Sequence, residues 1–183
     1  MTEEMNEFFR NKLRVNEEKV VLSGLVNQDG SIAIQGENKI IVTLVNIEKE
    51  TARKGQMKNV PSIHGTRADA IQLNLYVLFS AYFSSGNYPE ALRFLSFIIA
   101  YFQQKNVFDR SNTPGLDTNI ERLSFEIVDV NPDTLSNMWS TLGAKYMPSI
   151  LYKVRMVNID GSIVNEYRPV ISGMIHDNNP DTR

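Results

Sequence analysis

The chain contains no cysteine. That absence excludes a disulfide framework, a thiolate metal site and a cysteine nucleophile together, and it is compatible with a reducing cytoplasm. Histidine is nearly missing: His64 and His176 stand alone, and neither has a second ligand type at metal spacing such as H-x-x-x-H. The glycines occur singly beside turn signals, so no phosphate loop, dinucleotide fingerprint or nucleophile elbow is present. Carboxylates are dispersed. Those that cluster, Glu3-Glu4, Glu17-Glu18 and Glu48 with Glu50, fall in a terminal helix, a turn and a strand end, where solvation explains them better than paired acid and base chemistry. No metal or cofactor is therefore expected. Long apolar runs are lacking too. The most apolar stretch, residues 91–102, includes Arg93 and Ser96 and is shorter than the ~20 residues a membrane-spanning helix needs. The opening MTEEMNEFFRNKL has no apolar run after a basic cluster, so it is not a secretory signal. A soluble protein without direct membrane insertion is expected. A net charge of -2 and a pI near 5.7 give no general reason to bind nucleic acid.

What is present is organised around residues 69–105. From Ile71 to Phe83 the odd positions are apolar, among them Leu73, Leu75, Val77 and Phe79, while most even positions carry a polar group. That alternation predicts a long strand with one buried face. Ser84 to Asn87 break it, Pro89 suits a first helical turn, and Glu90 favours the positive end of a helix. The period then changes. Leu92, Leu95, Ile99 and Phe102 share one helical face, and Ala91, Phe94, Ile98 and Tyr101 widen it, so this helix is expected to lie across a sheet and be covered on more than one side.

Around this unit the chain reads as one domain, residues 1–183, with an N-terminal helix within 1–16 and a flexible polar tail at 176–183. Thr2 can cap the first helix, whose Met5, Phe8, Phe9 and Leu13 form an apolar stripe able to dock on the domain or on a neighbouring copy. Asn27-Gln28-Asp29-Gly30 between apolar runs predicts a hairpin, and Lys39 to Ile47, rich in β-branched residues, a buried strand. Residues 106–119 read as a polar loop and residues 121–130 as a half-buried strand. Asn131 can cap a helix that places Leu135, Met138, Trp139 and Leu142 on one side and stops at Gly143. A strand follows from Pro148, a second Asp-Gly turn at Asp160-Gly161, and a last strand at Tyr167 to Ile175, which Pro169 keeps from a central place. This order predicts an α+β fold: a mixed or mainly antiparallel sheet with about three helices packed mostly on one face. Leu73, Leu75, Leu92, Phe102 and Trp139 are its expected core scaffold.

Residues 48–68 form an unpatterned segment carrying Arg53, Lys54, Lys58 and Arg67, longer than compact domains usually leave without structure. It reads either as a solvated loop or as a partner-contacting one. With Tyr167 and Arg168 in the last strand, these cations are the candidate assembly interface.

Asn74-Leu75-Tyr76-Val77-Leu78-Phe79, Tyr88-Pro89-Glu90-Ala91-Leu92, Phe102-Gln103, Leu135 to Ser140 and Lys145 to Tyr152, in this order and spacing, resemble the cap, or tail-terminator, family of contractile injection systems of the antifeeding-prophage and virulence-cassette type. The resemblance runs from the first strand to about Asp160. It implies a non-enzymatic assembly protein that forms a ring, typically of six copies, on the tube and sheath end distal to the baseplate and stops tail growth. Its partners would be other copies of itself and the tube and sheath proteins. Assembly would be cytoplasmic, in a phage-tail-like particle that is later released or membrane-attached. The residues alone leave two other classes open: a ligand-binding enzyme domain with a pocket of convergent titratable groups, and an adaptor that binds partners without making a ring.

Overall fold

A computed structural model describes residues 1–14, 16–50 and 71–159. Six strands form one sheet: β1 (Val20–Leu22), β2 (Lys39–Lys49), β3 (Ile71–Tyr82), β4 (Val107–Asp109), β5 (Ile120–Ile127) and β6 (Ser149–Ile159), in the order β1-β2-β3-β6-β5-β4. Only β1 and β2 run parallel; the other neighbours are antiparallel. The helices are α1 (Thr2–Leu13), α2 (Tyr88–Gln104), which follows a short 3-10 turn at Ser85–Asn87, and α3 (Pro132–Leu142). The mixed, mainly antiparallel α+β sheet expected from the sequence is thus what forms.

β3 separates two apolar clusters. Phe79 and Ala81 join Ile40 and Val42 of β2, Tyr152 and Val154 of β6, and the buried sides of α1 and α2. Leu78 points the other way and, with Ile41, meets Trp139 of α3, Leu25 and Met147. Because successive side chains leave a strand on opposite faces, α1 and α2 share one face of the sheet and α3 takes the other. The even-numbered side of β3, expected to be polar and open, is therefore covered where α3 lies.

Each helix is set by local chemistry. Asn131 accepts a hydrogen bond from the Thr134 N–H at 2.8 Å, Pro132 sits at the first turn, and Gly143 closes α3 at φ 67, a left-handed conformation that glycine adopts without penalty. In α2 the buried residues are Ala91, Phe94, Leu95, Ile98, Tyr101 and Phe102. This corrects the expected face: Leu92 is 44% exposed and belongs to the open side, so it is not a core residue. The apolar arc was wide enough to centre in two ways, and packing of Phe94 and Tyr101 against Phe9 and Phe8 of α1 selected the second. Thr2 lies inside α1 and supplies no side-chain cap.

α1 docks on its own domain. Its Asn6 is buried and acts as a peptide mimic: Nδ2 donates to the Val20 carbonyl, and Oδ1 accepts from the Lys19 and Val20 N–H groups, all at 2.9 Å. Phe9 meets Phe94 edge-on at 5.2 Å and Phe8 meets Tyr101 at 5.3 Å. Lys105 Nζ closes the contact on the Glu4 carboxylate at 2.9 Å.

Two other expectations need correction. The Asp29-Gly30 turn forms, with the Asn27 N–H donating to the Ser31 carbonyl, but the hairpin is a single bridge between Val26 and Ile32. The polar loop at 106–119 contains β4, whose Phe108 is buried. The last expected strand and the tail lie outside the described residues.

These contacts rank substitutions. Phe102→Ala should cost about 3–5 kcal/mol, since it empties a fully packed site. Asn6→Ala should cost about 1–3 kcal/mol by stranding buried peptide groups, whereas Leu92→Ala should change stability by no more than about 0.5 kcal/mol. Urea unfolding of the three variants measures the order, and equal losses for Leu92→Ala and Phe102→Ala would show that the helix is rotated from the described face.

Candidate interaction surfaces

The α3 face of the sheet is apolar only where α3 covers it. Towards the other end of the strands its residues become polar in register: Asn46, Tyr76, Lys153 and Glu126 form one row, and Glu48, Asn74, Arg155 and Ser124 the next. Tyr76 donates its hydroxyl hydrogen to Glu48 Oε2 at 2.9 Å, and that bond holds the phenol above its ordinary pKa. Arg155 and Glu126 pair at 3.0 Å, both about half exposed, a geometry that contributes little to stability. Arg122, Lys153, Arg155 and Glu50 line a concavity of about 400 Å³ whose walls include Gln72, Leu73 and Asn74. Asn74 is 4% exposed and its Oδ1 has no hydrogen-bond partner among the described residues. Guanidinium and ammonium groups in this arrangement can recognise anions; they do not place a nucleophile against a base.

A second concavity, about 390 Å³, lies beside α3 between Pro132, Leu135, Trp139 and Tyr146. Tyr146 is 64% exposed and meets Trp139 edge-on at 5.6 Å. Rings of this kind, apolar with a polar edge, suit protein contacts. No group of His, Asp or Glu able to hold a metal occurs among the described residues, and none of their helices is long and apolar enough to cross a membrane.

The candidate interface residues Arg53, Lys54, Lys58, Arg67, Tyr167 and Arg168 lie outside the described residues, as do both histidines. Of the expected scaffold, Phe102 and Trp139 are buried, Leu75 is half-buried against the main cluster, and Leu73 is half-buried at the wall of the polar concavity. Sequence reasoning missed a further surface. The second half of β2, expected to be buried, exposes Leu44 and Ile47. A run of β-branched residues without alternation looks buried on both faces, and its only warning was the polar interruption at Asn46 and Glu48.

An α+β domain whose exposed features are sheet surface, aromatic edge and mixed charge has the make-up of an assembly module. Its family follows from sequence: the chain belongs to the Pvc16 N-terminal domain family, whose model matches residues 2–173. Among solved structures it is similar to the sheath/tube terminator of an extracellular contractile injection system, PVC, seen by cryo-EM in the extended state. That likeness has a TM-score of 0.50 at 13% identity and covers 86% of this chain and 56% of the other, so the chain spans little more than half of that terminator and the likeness speaks to fold. No curated protein matches the chain.

Two buried phenols predict alkaline behaviour. Burial pushes the Tyr152 hydroxyl from 10.0 up to about 12, and burial beside Glu4 raises Tyr101 as well. The folded state therefore holds these protons more tightly than the unfolded chain, so their contribution is complete below pH 10 and is lost as pH rises towards 12. The urea midpoint should fall across that window and fall less steeply in Tyr152→Phe; identical slopes would place the phenol in water.

Proposed function

We propose that this chain is a structural, non-catalytic terminator of a contractile tail. It forms a ring, six copies by the resemblance, on the last layer of tube and sheath, and halts their growth. Membership of the Pvc16 N-terminal domain family over residues 2–173 is the observation that carries this reading, and the terminator's shared fold supports it. In this reading self, tube and sheath are the partners, and assembly takes place in the cytoplasm before the particle is released or anchored.

A head-to-tail ring needs two different, complementary surfaces on each copy. The cations Arg53, Lys54, Lys58 and Arg67 concentrate positive charge in a chain of net charge -2, which suits one such surface facing an acidic one on the neighbour, while the segment with Tyr167 and Arg168 contributes by strand pairing. Charge complementarity of this kind fixes register and speeds encounter more than it adds affinity.

Deleting the gene should give tails of abnormal length or unstable sheaths by electron microscopy, and a deletion strain with normal lengths and normal ends would sink the assignment. The joint variant Arg53→Glu, Lys54→Glu, Lys58→Glu should fold normally by circular dichroism and cap poorly. If it caps normally, these cations are ordinary solvated charges.

A further inference from the structure

The two neighbours of β2 are unequal. β3 pairs with it from Lys39 to Lys49, while β1 pairs only with Ile40, Ile41 and Val42. The Ile40 N–H donates to the Lys19 carbonyl at 2.7 Å, and the Val42 carbonyl accepts from the Ser23 N–H at 3.1 Å. Even-numbered residues here thus turn their peptide groups outward, and Leu44 follows by the two-residue alternation of a ladder. A bulge between Leu44 and Asn46 then shifts the alternation by one residue. Accordingly the Glu50 N–H donates inward to the Gln72 carbonyl at 2.9 Å, which leaves Ile47 and Lys49 turned outward. Among the described residues no strand pairs with this outer side past Val42.

The side chains point the same way. Leu44 lies opposite Val77 and Ile47 opposite Leu75, so the bulge brings both onto the α1/α2 face as neighbours along the edge. They are 48% and 54% exposed. An outward row of peptide groups flanked by exposed apolar side chains is a template for strand addition.

We propose that this edge, residues 43–49, takes the segment Tyr167–Ile175 of a second copy as an added strand, linking neighbouring protomers. The inference rests on the ring reading above and supplies its receiving surface. β6 carries the chain out of the described residues at Ile159, which pairs with Ile71, at the end of the sheet towards which the open part of β2 runs. Residues 160–173 still fall within the family match. The segment contains Val170 and Ile171, suited to a strand, and Pro169, which an outermost strand tolerates because one of its sides needs no N–H. A second copy is the occupant that the ring reading requires, because a strand kept within one chain would link no protomers. Giving one strand and receiving one makes a head-to-tail contact, the type that closes rings.

The absence of cysteine makes the test clean. Full-length protein carrying Ile47→Cys together with Arg168→Cys, Pro169→Cys, Val170→Cys or Ile171→Cys in turn is oxidised within purified particles. At least one pair should give a ladder of disulfide-linked chains on a non-reducing gel that collapses on reduction. Monomer alone from all four pairs, unlinked or internally bridged, overturns the proposal, while normal tail ends in those same particles leave the terminator reading intact. In a second arm, the Leu44→Lys, Ile47→Lys variant should melt like the parent and be missing from tail ends. A folded variant found at tail ends in parental amounts also overturns it.

Discussion

The ring of Phe102 is the contact on which the rest of the domain depends. It stacks on Phe125 at 4.4 Å and lies 4.6 Å from Tyr152, 5.5 Å from Phe79 and 6.3 Å from Phe108. One side chain of α2 thereby touches β3, β4, β5 and β6. Offset and edge-to-face arrangements of this kind add to plain burial, and they fix orientation as well as proximity. With α2 held at its C-terminal end by Phe102 and at its middle by Phe94, α1 has a defined seat, which Asn6 then secures through the peptide groups of Lys19 and Val20.

A consequence is an uneven sheet. α1 and α2 cover one face near β2, β3 and β6, α3 covers only part of the other, and the rest of that second face is a polar ladder running from Glu48 through Asn74 and Arg155 to Ser124. The described residues therefore present three kinds of surface: the cation-lined concavity, the Trp139 and Tyr146 groove, and the open stretch of β2. None of these is a catalytic constellation. Each is a place where another protein surface could rest.

How much of this could be read from the sequence depended on whether the deciding interaction was local. α3 was legible almost to the residue because its signals, Asn131, Pro132 and Gly143, act within one turn of where they stand. β3 was legible because alternation persists over its whole length. The facing of α2 was not, since both Leu92 and Ala91 fit an apolar arc and only distant residues, Phe9 among them, choose between them. β4 escaped for the same reason: a three-residue strand inside a polar loop has no period, and Phe108 is drawn in by Phe102 and Phe125, which no local pattern reveals. The candidate assembly cations were picked out by composition alone, and composition says where charge is concentrated without saying what it faces.

The open stretch of β2 shows how an exposed edge can be kept selective. A long, flat, apolar edge invites indiscriminate pairing. Here the bulge at Val45 interrupts the ladder after Leu44, so an incoming strand meets two short runs of peptide groups with a shift between them. Val45 itself packs against the second apolar cluster, which anchors the shift from the opposite face of the sheet. Glu48 and Lys49 put charge at the far end, on opposite faces of the strand. A generic strand would leave donors unmatched at the bulge, and an unmatched buried peptide group costs more than a matched one contributes. Only a segment that accommodates the shift gains the full ladder together with the Leu44 and Ile47 contacts. In the proposed pairing the same register shift would therefore discriminate between partners.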